Sequence, residues 1–235
     1  MTVRSLPKTL PKKGKKLPPL ENGDRLTRRE FERRYEAMPE VKKAELIEGV
    51  VYMGSAPRFE SHAEPHGMIM TWLGLYCSFT AGVRLGDNTT VRLDADNEVQ
   101  PDAILFLEER LGGRSRISDD DYIEGTPELI AEIAASTASI DLGDQKKVYR
   151  RQGVCEYIVW QVYENQLECF ALQEEEYVPL QPDAAGIIRS EVFAGLWLAA
   201  TALLDDDMPL VISVLQQGLQ ATEYGDFVNS LTRCG

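Results

Sequence analysis

Two acidic residues stand out because of the apolar sequence around them. Glu132 lies in the middle of LIAEIA (129–134), which has the pattern of a strand buried on both faces. Asp102 precedes the apolar run AILFL (103–107) and follows Pro101, which favours an extended Gln100. A buried carboxylate needs a partner or a metal ion. On adjacent strands, the two acids predict a Mg²⁺ or Mn²⁺ site that could polarise a phosphodiester and activate water.

Such a site also needs a basic residue that positions water and offsets charge on the phosphate. A helix predicted over about 141–152 carries Lys146 and Lys147 near its start. Lys146 is the predicted basic partner, and Lys147 is a further candidate. Arg150 and Arg151 on the same helix could bind phosphate. A simpler interpretation is that these arginines neutralise acidic charge on the body of the protein.

Other interpretations of these residues stay open. Glu132 could be held by an ion pair inside the protein, and Pro101-Asp102 could be an ordinary turn. His66 follows Pro65 at the start of a predicted helix, where it could contact phosphate or simply cap the helix. The four cysteines have no paired spacing, so the sequence predicts neither a structural zinc site nor a disulfide framework.

The charge distribution argues against simple electrostatic binding of nucleic acid. The net charge is −13, and residues 1–20 contain six Lys or Arg and no acid. The remainder therefore has 19 basic and 38 acidic residues, which repel phosphate unless a bound metal reverses the sign locally. With no bilayer-length apolar run and no signal-peptide core, we expect a soluble cytoplasmic protein without a membrane segment.

The order of elements predicts an α/β fold with a mixed β-sheet flanked by helices. We expect a disordered basic, proline-rich arm over 1–22 and a single domain over 23–235, with a C-terminal helical extension from about 195. A capping box at Thr27 predicts a helix that ends before Pro39. A second helix is predicted over 66–80, with Met68, Trp72, Leu75 and Phe79 on one face. Strands are predicted over 44–53, 88–93, 103–107, 129–134, 157–162 and 167–173.

Several segments, taken in order, resemble the Uma2 family of restriction-endonuclease-like proteins. They are TVRLDADNEVQPDAILFL, ELIAEIAAS and ASIDLGDQKKVYRRQGVCEYIVW, and the likeness extends upstream to cover roughly 27–172. The resemblance implies a PD-(D/E)xK nuclease fold in which Asp102 and Glu132 are the two acids. It also implies a Mg²⁺- or Mn²⁺-dependent endonuclease that hydrolyses DNA, commonly as a homodimer.

This sequence departs from the family's pattern at the basic residue. Position 134, two residues after the second acid, is Ala, and the family's lysine on the next helix is replaced by Gln145. Lys146 is adjacent in sequence but turned by about 100° around a helix. The resemblance also implies that Glu45 is a further ligand or holds water. A catalytically impaired module for binding or assembly is therefore the alternative function.

Overall fold

The structure is a computed structural model that describes residues 17–54, 56–135 and 137–234. Most of the arm predicted over 1–22 lies outside these residues. Leu20, near the end of that predicted arm, is buried in a small core with Phe31 and Leu46. No helix within the described residues is both long and apolar enough to cross a membrane.

Short helices alternate with strands along the described chain. A π-helical turn (Phe59–Ala63) leads into the second helix, and another (Asp141–Gln145) joins the third to the fourth. The α-helices in the described residues are α1 (Arg28–Tyr35), α2 (Glu64–Phe79), α3 (Ala138–Ile140), α4 (Lys146–Gln152), α5 (Ala200–Leu204), α6 (Met208–Gly218) and α7 (Thr222–Cys234).

The strands form two mixed six-stranded sheets and a small hairpin. In chain order they are β1 (Ala44–Ile47), β2 (Val50–Met53), β3 (Val83–Asp87), β4 (Val91–Arg92), β5 (Glu98–Val99), β6 (Ala103–Leu107), β7 (Ser115–Ile117), β8 (Ile123–Gly125), β9 (Leu129–Ala134), β10 (Glu156–Gln161), β11 (Gln166–Gln173), β12 (Glu176–Pro179), β13 (Ile187–Arg189) and β14 (Trp197–Ala199). The first sheet has the order β2-β1-β5-β4-β8-β7, and the second has β12-β11-β10-β9-β6-β3. The predicted α/β class is confirmed.

The second sheet is covered on both faces, which explains its apolar central strands. On one face, Leu129 and Ile133 belong to a core that includes residues of α2, α5 and α6. On the other face, Ile130 and Ala134 belong to a core that includes residues of α4. Because side chains alternate along a strand, Glu132 lies on the α4 face with Ile130 and Ala134.

The N-terminal segment differs from its prediction at two points. Thr27 occupies the position before α1 but makes no capping hydrogen bond with its side chain, and Glu30 instead pairs with Arg33 and Arg34. The single strand predicted over 44–53 is the β1–β2 hairpin. Its turn residues, Glu48 (φ 53°) and Gly49 (φ 71°), are both left-handed, as the twist of a tight hairpin requires.

The helix predicted over 66–80 is present. Of the four residues predicted on its apolar face, Trp72 is buried, Met68 and Leu75 are partly buried against the core, and Phe79 departs from the prediction. α2 begins at Glu64 and buries Ile69, Trp72, Leu73 and Tyr76, whereas Phe79 is 61% exposed. These buried residues follow the helical spacing and pack against the second sheet.

Two further segments differ from the sequence predictions. Of the strand predicted over 88–93, only β4 (Val91–Arg92) forms, because Asn88 at its predicted start is left-handed (φ 47°); β3 (Val83–Asp87), just before it, was not predicted. The helical extension predicted from about 195 begins only at Ala200, because Trp197–Ala199 pairs with β13.

Candidate metal centre

Asp102 and Glu132 face each other across neighbouring strands. The β6–β9 register pairs Ala103 with Ala131, so the next position outward sets Asp102 opposite Glu132. The Ile133 N–H donates to Asp102 Oδ2 at 2.8 Å, and the Asp102 N–H donates to Glu132 Oε2 at 3.3 Å. Both residues are buried, with 3% and 4% exposure. The structure therefore brings the two predicted acids together.

The second oxygen of Glu132 is held by the helix that follows it. Gln145 donates from Nε2 to Glu132 Oε1 at 2.8 Å, and Tyr149 donates from its hydroxyl to the same oxygen at 2.9 Å. Gln145 also donates to the Tyr149 hydroxyl at 2.6 Å. Residues four apart share a helix face, which explains why both reach one carboxylate. Gln145, where a lysine was expected, is thus a neutral donor to the second acid.

Asp102 Oδ1 accepts from two basic side chains. Lys43 Nζ lies 3.5 Å from this oxygen and His62 Nε2 lies 3.2 Å from it. His66, predicted as a possible site residue, lies next to them: its Nε2 is 3.1 Å from the Asp102 carbonyl oxygen and 3.2 Å from Asp87 Oδ1. The structure therefore surrounds Asp102 with three basic side chains, all from segments that precede it in the chain.

Glu45 joins the site where the two sheets meet. The segment 100–102 connects β5 of the first sheet to β6 of the second. The Gln100 N–H donates to Glu45 Oε1 at 2.8 Å, so Glu45 on β1 is anchored one peptide away from the Pro101-Asp102 pair. Asp141, at the start of the π-helical turn before α4, is also buried near these acids and repels Glu132.

Burial and mutual repulsion shift the pKa values of the acids in this centre. Burial, followed by repulsion from Asp102, raises the pKa of Glu132 well above its ordinary value. Burial also raises the pKa of Asp141 to about 7, and that of Glu45 in the same direction. Burial opposes ionisation of Asp102, but the hydrogen bond from His62 and the charge of Lys43 together hold its pKa below the ordinary value. The centre therefore favours a further positive charge.

Lys43 is the ammonium that compensates this negative charge. Burial opposes its charged form, yet attraction to Glu45, Asp102 and Glu132 raises the pKa of Lys43 overall. Its side chain is 31% exposed, so it reaches the acids from the solvent side.

The two lysines predicted at the start of α4 contact other groups than Asp102 and Glu132. The Lys146 ammonium is 3.3 Å from the centroid of the Phe170 ring on β11, and burial lowers its pKa. Lys147 is exposed and pairs with Asp144 at 2.9 Å. The physical reason is the helical rotation between neighbouring positions, since Gln145 already occupies the face directed at Glu132. The prediction that Lys146 contacts the acids is corrected by this placement.

The two arginines predicted to bind phosphate are paired with acids. Arg150 forms an ion pair with Glu176 on β12. Arg151 lies 2.6 Å from Glu48 and 4.0 Å from Asp94. This geometry favours the simpler interpretation, in which they neutralise acidic charge on the surface.

Asp102 and Glu132 offer hard carboxylate oxygens, the ligand type that Mg²⁺ and Mn²⁺ prefer. Among the residues that the structure describes, no three His, Cys, Asp or Glu side chains are arranged to hold a metal ion. Mg²⁺ is usually bound by one or two carboxylates, with waters and substrate phosphate completing its shell. Asp102 Oδ2 and Glu132 Oε2 each accept one backbone N–H, which leaves one lone pair on each.

Sequence reasoning missed Lys43 and the role of His62. Both left a signal in the chain: Lys43 stands two residues before Glu45, and alternate strand positions share a face. His62 stands four residues before His66, and their rings stack with centroids 5.8 Å apart. Neither signal shows which distant acid the side chain meets.

The protein has a mixed α/β fold in which two buried acids face each other across adjacent strands. A family model described as "Uma2: Putative restriction endonuclease" matches residues 28–201, so the chain belongs to the Uma2 family. Among solved structures, it is similar to "a putative nuclease belonging to DUF820" from Anabaena variabilis, with a TM-score of 0.57 and 17% identity over 74% of this chain and 96% of that one. No curated protein matches.

Proposed function

We propose that this protein is a Mg²⁺- or Mn²⁺-dependent endonuclease that hydrolyses phosphodiester bonds in DNA. The observation that carries the proposal is the pairing of two buried carboxylates, Asp102 and Glu132, across adjacent strands. Burial makes such a pair costly to ionise, and a divalent cation bound beside Lys43 would stabilise its charged form. Membership of the Uma2 family supports nuclease chemistry, while the metal and the DNA substrate are our inference.

Asp102 and Glu132 would hold the metal ion, which when bound would polarise the phosphodiester and make its bound water acidic. Hydrolysis forms a bond from the water oxygen to phosphorus and breaks the bond to one sugar oxygen, which takes up a proton. His62 and the backbone of Ile133 hold Asp102 in place. Gln145 and Tyr149 hold Glu132 in the same way.

Cleavage of supercoiled plasmid in Mn²⁺, with and without EDTA, tests this proposal together with the melting temperature. Saturating Mn²⁺ should raise the melting temperature by about 5–10 °C at 100 times its Kd. Asp102→Asn keeps the shape of the side chain and should abolish both the shift and the cleavage. Asp119→Asn is the matched control, because Asp119 is exposed in a turn. Cleavage that survives Asp102→Asn would contradict the proposal.

A second candidate is a catalytically impaired member of the fold that binds nucleic acid or assembles with protein. It is favoured by Gln145, which supplies a neutral amide to Glu132 where the family pattern has lysine. This candidate expects a metal-induced rise in melting temperature without hydrolysis of DNA or RNA. A third, a module whose acids are merely paired internally, expects no such rise.

We also propose a homodimer, because two copies of the site could cut the two strands of a duplex in a single binding event. Sedimentation of the protein with and without duplex DNA would test this. A monomer in both conditions would contradict the proposal.

A further inference from the structure

We propose that Lys43 supplies the ammonium group of the active site, in place of the lysine that the chain lacks at positions 134 and 145. The inference rests on the proposed nuclease function and adds a residue to it. Lys43 comes from the segment that enters β1 in the first sheet, whereas Glu132 lies in β9 of the second sheet and Asp102 directly precedes β6 of that sheet. The ammonium therefore approaches the acids from another part of the fold than α4.

The contacts of Lys43 are those required of such a residue. Its Nζ lies 3.5 Å from Asp102 Oδ1, and its charge is attracted by Glu45, Asp102 and Glu132 together. Partial exposure lets the same group meet a phosphate or a water that arrives from solvent. An ammonium at this distance from a metal-binding carboxylate would offset charge that develops on the phosphate.

The local backbone is shaped around the Lys43 side chain. The Gly54 N–H donates to the Lys43 carbonyl oxygen at 3.1 Å. Lys43, just before β1, therefore lies beside Gly54, just after β2. A Cβ built on Gly54 would lie 3.1–3.4 Å from Cβ, Cγ and Cδ of Lys43. The absence of a side chain at Gly54 thus leaves room for the Lys43 stem on its way to Asp102.

The other basic groups near the acids are less suited to this role. Gln145 is neutral, and the Lys146 ammonium lies on the Phe170 ring. His62 shares Asp102 Oδ1 with Lys43, but its imidazole is charged only when protonated. Lys43 alone among these contacts carries a permanent charge that faces Asp102.

The test compares Lys43→Gln with the unsubstituted protein in two measurements, Mn²⁺-dependent plasmid cleavage and Mn²⁺ affinity by calorimetry. Removing the ammonium should lower cleavage about 10²–10³-fold. It should also tighten Mn²⁺ binding about tenfold, because a competing positive charge leaves the acids. Lys42→Gln is the matched control: Lys42 is exposed, adjacent in sequence, and its ammonium donates to the Pro39 carbonyl oxygen at 3.4 Å. It should change neither quantity.

A second substitution separates chemistry from structure. Lys43→Gln combined with Gln145→Lys returns an ammonium to Glu132 from α4, and it should recover at least about tenfold of the lost cleavage. A purely structural role for Lys43 predicts no such recovery. If Lys43→Gln does not fold, Lys43→Arg keeps the charge and should retain measurable cleavage and unchanged Mn²⁺ affinity; complete loss of cleavage in that folded variant overturns the inference.

The outcomes distinguish the two proposals. Cleavage by the unsubstituted protein that persists in Lys43→Gln overturns the role of Lys43 and leaves the nuclease proposal intact. No cleavage by the unsubstituted protein in Mn²⁺ or Mg²⁺ overturns the nuclease proposal, and the role of Lys43 with it.

Discussion

Gln145 donates a hydrogen bond to Glu132 at the point where a positive charge would be expected, at an Nε2 to Oε1 distance of 2.8 Å. The neutral amide of Gln145 gives Glu132 Oε1 a hydrogen bond but does not neutralise the charge of an ionised Glu132. Burial, and then repulsion from Asp102, raise the pKa of Glu132 well above its ordinary value, and the amide supplies no charge that would offset this. A neutral amide thus stands beside Glu132 where the family resemblance implies a lysine, and a single substitution at position 145 can restore the charge.

Gln145→Lys in the otherwise unchanged protein should raise Mn²⁺-dependent cleavage by about tenfold, because an ammonium beside Glu132 would stabilise its ionised form. Plasmid nicking at several Mn²⁺ concentrations measures the effect. Gln152→Lys is a suitable control, since Gln152 lies at the other end of α4. Equal rates for Gln145→Lys and the unsubstituted protein would show that the charge at this position does not limit the reaction.

Tyr149→Phe should destabilise the protein by about 1–3 kcal/mol. The substitution removes a buried hydroxyl that donates to Glu132 Oε1 and accepts from Gln145. Urea denaturation at pH 7 without metal gives the free energy of unfolding. Tyr163→Phe, at an exposed position, should change it by less than about 0.5 kcal/mol. The prediction fails if the two variants are equally stable.

Unfolding should depend on pH through buried acids outside the metal centre. Burial raises the pKa of Glu156 to about 7 and that of Glu98 to about 8. Both ionise near their ordinary value of 4.5 in the unfolded chain, so between pH 4.5 and 8 the folded state holds more protons and loses stability as pH rises. The melting temperature at pH 8.5 should therefore be below that at pH 6.

Glu156→Gln tests the origin of this slope. Glu156 accepts from Ser190 Oγ and from the backbone N–H groups of Glu191 and Val192, and a neutral amide can replace much of this network. Measured between pH 4.5 and 8.5, the free energy of unfolding of the variant should fall by on the order of 3 kcal/mol less than that of the unsubstituted protein. An unchanged slope would assign the effect to other groups.

Arg151→Gln should leave the salt dependence of DNA binding unchanged. Arg151 pairs with Glu48 and Asp94, so these acids already neutralise the positive charge that a phosphate would need. Fluorescence anisotropy across a salt series, in Ca²⁺ to limit cleavage, would give the slope of log Kd against log salt. A slope smaller by about one would instead show that Arg151 neutralises a phosphate in the complex.

The central strands were predictable because their signal is local. The run 129–134 is apolar throughout since it is buried on both faces, and 103–107 is similarly apolar. The short strands β5, β7 and β8 were missed because two or three residues give no periodicity, and they exist only through pairing with distant partners. The β1–β2 hairpin was missed because its turn places Glu48, a residue with little preference for positive φ, in the left-handed region.

The acids of the site could be predicted, whereas their basic partners could not. An acid inside an apolar strand is conspicuous in any sequence, as Glu132 shows. Lys43 lies in the polar segment VKKAE (41–45), where two adjacent lysines look like ordinary surface residues. Only the strand alternation and the meeting of two sheets show that one of them contacts Asp102. For α4, a rotation of one residue decided which side chain reached Glu132.

The linker 100–102 joins the two sheets at the candidate metal centre, so residues from both sheets form it. Glu132 lies in the second sheet, and Asp102 directly precedes β6 of that sheet. Glu45 lies in β1 of the first sheet, and Lys43 directly precedes β1. A fragment retaining only the second sheet and Asp102 would keep its pair of acids and forfeit the ammonium. Because Lys43 and Glu132 come from different sheets, the angle between the sheets sets how closely the ammonium approaches the acids.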